Sequence, residues 1–123
     1  MKRKHVTLAV FIGTLLGPAF LIQPAVTQAA PKKIEITAKR FTFEPAEITV
    51  EQGEPVVLEL KSVDVTHGLR IRELHVDVKV NKGATTEASF TPTTVGDFVA
   101  HCSVFCGSGH GKMTLTIHVV KKS

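Results

Sequence analysis

The sequence predicts an all-β protein, a β-sandwich, and three observations lead there. From residue 31 onward the chain is rich in β-branched residues set in period-2 stretches. Turn signals such as Gln52-Gly53-Glu54-Pro55 and Asn81-Lys82-Gly83 interrupt these stretches at short intervals. No amphipathic helix is legible after residue 30. Seven or eight short strands at this spacing suit a sandwich, and about 93 residues bury a modest single core.

Taken in order, residues 33–38 put Ile34 and Ile36 on one face, and residues 47–51 alternate through Ile48 and Val50. After the first turn, residues 56–61 place Val56, Leu58 and Leu60 on one side. Residues 75–80 alternate through Val76, Val78 and Val80. After the second turn, residues 85–90 form a strand that Thr91-Pro92 ends. A further strand starts at Val95-Gly96 and runs to about Cys102. The last, 113–120, alternates through Met113, Leu115, Ile117 and Val119. There is no internal repeat and no room for a second domain beyond 31–123.

The first thirty residues read differently. Lys2, Arg3 and Lys4 precede a mostly apolar run from Val6 to Ile22, and Ala25, Ala29 and Ala30 supply small residues beyond it. This is the layout of a secretory signal peptide over 1–30, with a cut after Ala29. The alternative is an uncleaved anchor, for which a run broken by Gly13, Gly17 and Pro18 is short against the roughly 20 residues a span needs. Either way the rest of the chain is expected outside the cytoplasm, periplasmic above all, with membrane association only if the segment stays attached. The formal charge of +4 is concentrated in this segment. Beyond it, 12 of the 15 Lys+Arg face all 11 Asp+Glu, a balance of +1 that excludes a nucleic-acid footprint.

Two cysteines in an exported chain ordinarily suggest a disulfide. Cys102 and Cys106 are only four apart, so a bridge would close a very small loop and remove little chain entropy. A strained disulfide stays as the alternative to a metal. The metal reading gains from the neighbouring residues: between Cys102 and Met113 the chain carries two thiols, the imidazole of His110 and a thioether. Sulfur with imidazole favours copper, zinc or iron–sulfur chemistry, and the thioether points to copper, whose sites often hold a weak axial Met. Gly107, Gly109 and Gly111 let the loop fold back so that these side chains converge. A second imidazole must come from elsewhere, and His67, in Asp64-Val65-Thr66-His67-Gly68, is the candidate. Alone, His67 would read as a surface residue and Met113 equally as core or as ligand, and the spacing to His110 lifts the ligand reading. His101 falls on the opposite face from Cys102 and reads as an outer or exposed residue, with joining the site as the alternative. His75 and His118 are expected to face solvent. No catalytic triad or carboxylate pair is present, so an enzyme is not indicated.

The spacing Cys-x3-Cys-x3-His-x2-Met resembles the loop of the binuclear copper (CuA) centre of cytochrome c oxidase subunit II. Asp64-Val65-Thr66-His67-Gly68 is similar to the segment that delivers that family's first histidine. Phe43-Glu44-Pro45, Ile48-Thr49-Val50 and Gly53 resemble its opening strands, so the likeness covers roughly residues 33–120. It implies a Greek-key, cupredoxin-like sandwich and two copper ions. By this resemblance Cys102 and Cys106 bridge the metals as thiolates, and His67 and His110 bind one copper each. Met113 is a weak axial ligand, and the backbone carbonyl of Val104 is its counterpart on the other copper. Val104, Phe105 and Leu69 would supply an apolar shell that tunes the potential.

Three departures from the family pattern stand out. At most one membrane span is legible, where the family often has a hairpin of two. The chain has no Trp and no Tyr, although the family's electron-entry patch is aromatic. Val104 occupies a position that is often Glu. The implied function is electron transfer with a redox partner such as a cytochrome c or a terminal oxidase. The rivals are a copper chaperone or store with a copper-delivery partner, a mononuclear blue-copper protein using His67, Cys106, His110 and Met113, and a true oxidase subunit.

Overall fold

Nine strands build two stacked sheets in the computed structural model, which describes Gly17 and residues 21–123. Most of the expected signal peptide lies outside the described residues. The strands are β1 Lys32–Lys39, β2 Thr42–Glu44, β3 Glu47–Glu51, β4 Val56–Ser62, β5 His67–Ile71, β6 Val76–Val80, β7 Thr85–Phe90, β8 Gly96–His101 and β9 Thr114–Val120. One sheet runs β2-β1-β4-β7 and the other β3-β9-β8-β5-β6. Both are mixed, because β1 lies parallel to β4 and β3 parallel to β9, while the remaining pairs are antiparallel. The helical content of the described residues is a single 3-10 turn, His110–Lys112.

The period-2 stretches dictate the core. Ile36 and Ala38 of β1, Leu58 and Leu60 of β4, and Leu115, Ile117 and Val119 of β9 turn inward, as strand alternation requires. With Phe43, Val50, Leu69 and Ile71 they form one apolar cluster between the sheets, each large side chain contributing roughly 1.5–3 kcal/mol by leaving water. Periodicity anticipated neither β2 nor β5. β2 spans three residues, too few to show a period. β5 reads His-Gly-Leu-Arg-Ile and buries three consecutive positions, because His67 and Gly68 pack against the C-terminal loop as well as the core. The strand expected to reach about Cys102 ends at His101, and the last one begins at Thr114, after Met113.

The sheets bring the two halves of the candidate site to one end of the sandwich. β5 pairs with β8 through Arg70 and His101, so the start of β5 lies beside residues 102–104, and Ser103 N–H donates to the Gly68 carbonyl at 3.4 Å. A Cβ on Gly68 would collide with the Ser103 hydroxyl and stand 3.1 Å from the Val104 nitrogen. At the other side of the loop, Cys102 N–H donates to the Met113 carbonyl at 3.1 Å and closes its base.

Candidate metal centre

Cys102 leaves the end of β8 with its side chain turned into the core, on the opposite face from exposed His101, as alternation predicts. The chain then loops out and returns through the 3-10 turn, in which Met113 N–H donates to the His110 carbonyl at 3.2 Å. Cys102, Cys106, Met113 and His67 are all buried. The site is therefore one end of the hydrophobic core, and its sulfur atoms are inside it.

The ligand atoms fall into two sets. Cys102 Sγ lies 3.9 Å from His67 Nδ1 and 3.1 Å from the Val104 carbonyl oxygen. Cys106 Sγ lies 3.8 Å from His110 Nδ1 and 3.8 Å from Met113 Sδ. The two sulfurs are 3.8 Å apart as free thiols, with no bridge between them. The ligand atoms of His67, Cys102 and Cys106 all lie within 4.8 Å of one another. Every residue singled out from the sequence as a ligand is thus at one place. The donor set of two sulfurs, two imidazoles, a thioether and a carbonyl suits a soft metal such as copper.

The electrostatics support ligand orientation. Asp64 Oδ1 faces His67 Nε2 at 2.7 Å, which leaves Nδ1 for the sulfur side. Partial burial works against the Asp64 charge, but the Arg40 N–H, the His67 ring and the Val65 N–H outweigh it and hold the carboxyl at about 2. Burial, followed by the hydrogen bond and charge of Cys102, pushes the Cys106 thiol up to about 11. A metal must therefore displace a firmly held proton there.

Two expectations are corrected. Phe105 is 77% exposed and does not line an apolar shell. Its ring lies 5.7 Å from that of half-buried His110, tilted by 50°. The loop glycines do more than make the loop supple. A Cβ on Gly107 would stand 2.9 Å from the Phe41 ring, and one on Gly109 would overlap that ring outright, whereas Gly111 has open space around it. Leu69 is fully buried, as a shell residue should be.

Sequence reasoning gave no role to Asp64, Arg40 or Phe41. Asp64 had a local signal, three residues before His67; Arg40 and Phe41 had none. A cleft of about 520 Å³ also opens at the site, lined by Arg70, Arg72, Val99, His101, Cys102 and His110 among others. His118 is half-exposed, bound to Asp97, and His75 faces solvent.

Residues 7–115 match the cupredoxin-like domain family. Two cytochrome c oxidase subunit 2 sequences of Thermus thermophilus are each 33% identical over 100 residues, 80% of this chain and 73% and 59% of their own lengths. The crystal structure of the periplasmic domain of cytochrome oxidase subunit II of Bradyrhizobium japonicum superposes with a TM-score of 0.70 at 20% identity, over 77% of this chain and 88% of that one. By sequence, fold and the grouping of a histidine with two cysteines, the chain belongs to the cupredoxin family and is homologous to the CuA domains of cytochrome c oxidase subunit II.

Proposed function

We propose that this protein is an extracytoplasmic electron-transfer protein with a CuA-type binuclear copper centre, exported by residues 1–30. The observation that carries the reading is the division of the donors between two buried sulfurs 3.8 Å apart. His67 Nδ1 and the Val104 carbonyl stand on the Cys102 side; His110 Nδ1 and Met113 Sδ stand on the Cys106 side. A mononuclear site would need one thiolate and leave the second buried thiol without a task.

In this reading Cys102 and Cys106 would hold both coppers, His67 and His110 would bind one each, and Met113 and the Val104 carbonyl would be the weak ligands. Two coppers held there would supply one-electron transfer at small reorganisation cost, because the electron would be shared between them. The chain's own part is to hold the ligands rigidly and exclude water, which burial of the two sulfurs, Met113 and His67 achieves. His110, half-buried beneath exposed Phe105, is the route for electrons to and from a partner such as a cytochrome c or a terminal oxidase. Phe105 would be the apolar contact in a protein with neither Trp nor Tyr. Among the described residues no helix is long and apolar enough to cross a membrane.

The cleft that reaches Cys102 and His110 favours one second reading, copper handling, because it gives a copper-delivery partner access to ligand atoms. Copper loading of the domain from residue 31, which holds all nine strands, separates the readings. Two coppers per chain, with an electron paramagnetic resonance pattern shared equally between them, is the expected result. The substitution Cys106→Ser should abolish that pattern. One copper with the electron confined to it would overturn the binuclear reading, and rapid copper transfer to an apo-acceptor would favour handling.

A further inference from the structure

The turn between β1 and β2 reaches both ligand-bearing segments. Parallel pairing of β1 with β4 brings Ala38 beside Ser62, so the end of β1 lies against residues 63–66, and Val63 N–H donates to the Ala38 carbonyl at 3.2 Å. One step further on, Arg40 N–H donates to Asp64 Oδ2 at 2.7 Å. The other oxygen of Asp64 accepts from Val65 N–H and faces His67 Nε2, each at 2.7 Å. From the same residue the guanidinium Nε–H donates to the Cys106 carbonyl at 2.9 Å.

Phe41 completes the contact. Its half-buried ring packs on the core and lies over Gly107 and Gly109, the two positions where a Cβ would strike it. Gly107 also holds φ at +135°, which residues with a side chain rarely adopt. The loop is thus shaped to receive the ring.

We propose that Arg40 and Phe41 are positioning residues that clamp the metal loop, fixing the Cys106–His110 segment and the His67 imidazole relative to each other before and while metal is bound. Arg40 ties the two segments through Asp64 on one side and the Cys106 carbonyl on the other. Phe41 prevents the loop between Cys106 and His110 from lifting away from the core. The same contact also holds a positive charge at the Cys106 main chain, where it would favour an electron arriving at a metal held by Cys106.

The clamp's effect on copper rests on the proposed copper function, and its effect on the loop does not. Amide exchange in the copper-free full chain therefore comes first. Arg40→Met and Phe41→Ala should speed exchange across residues 102–113 and leave β4 unchanged. Arg40 is exposed, so Arg40→Met is expected to fold even if Phe41→Ala does not. In the copper-loaded full chain, Arg40→Met should speed copper loss to a chelator about tenfold and lower the reduction potential. Arg40→Lys should restore the potential by returning the charge, a result that a purely structural role would not give. Unchanged exchange in the loop, exchange raised equally over the whole sandwich, or a potential that Arg40→Lys fails to restore would overturn the proposal.

Discussion

His67 with Asp64 and His118 with Asp97 are built from the same two side chains, at 2.7 and 2.6 Å, yet only the first faces sulfur. His67 is fully buried at the start of β5. Asp64 takes its Nε2 and leaves Nδ1 toward Cys102. His118 lies on the outer face of β9, its side chain 34% exposed, with Asp97 at Nδ1 and Glu47 3.7 Å from Nε2. There both ring nitrogens look at carboxylates. The hydrogen bond to Asp97 raises its pKa most; burial opposes it, and the charges of Asp97 and Glu47 add to the rise. One pair directs an imidazole at the Cys102 sulfur; the other holds a proton. Burial and the identity of the nitrogen left over decide between them.

Breaking the first pair should have the larger consequence. Asp64→Ala should weaken copper binding about 10–100-fold, read by chelator competition, because the ring loses the group that fixes its orientation. Asp64 has a pKa lowered from 3.8 to about 2. Its contribution to stability is therefore fully present above the ordinary value and is lost as the pH falls through about 2. The stability gap between wild type and Asp64→Ala should close over that window in acid unfolding curves. A gap that stays constant would show that the carboxylate charge contributes nothing.

A second test sharpens the contrast between the crowded and the open parts of the ligand end. Gly109→Ala puts a methyl into the Phe41 ring and should cost about 1–3 kcal/mol, visible as a lower melting temperature. Gly111→Ala, with nothing near its Cβ, should stay within about 0.5 kcal/mol of wild type. Equal effects would mean that the loop yields to the ring.

The smallest effect belongs to the outer pair. His118→Gln should leave copper content and spectra unchanged and alter stability slightly. A raised pKa means that the contribution is complete below the ordinary value of 6.5 and disappears as the pH rises through the raised value. Urea midpoints of wild type and variant should differ at about pH 5.5 and converge at about pH 9. Loss of copper in this variant would undo the distinction between the two pairs.

Much of the fold and of the donor set was legible in the residues alone. Ile48 and Val50, Leu58 and Leu60, and Leu115, Ile117 and Val119 alternate plainly, and their strands lie where the pattern put them. β5 escaped because two demands fall on His67 and Gly68, core packing and close approach to Ser103 and Val104, and together they erase the period. Phe105 was expected in the apolar shell because it stands between the two candidate ligands Val104 and Cys106, whereas the loop turns its ring outward over His110.

The donor types and their spacing from Cys102 to Met113 follow from the residues alone, since within one short loop the covalent chain limits which atoms can meet. So do the faces of most strands that are apolar. The meeting of His67 with Cys102 across 35 residues, and of Arg40 with the Cys106 carbonyl across 66, comes from the packing of the sheets. Those meetings depend on β5 lying against β8 and β1 running parallel to β4. Strand register of that kind is set by the burial of the whole core, and no local stretch of sequence specifies it.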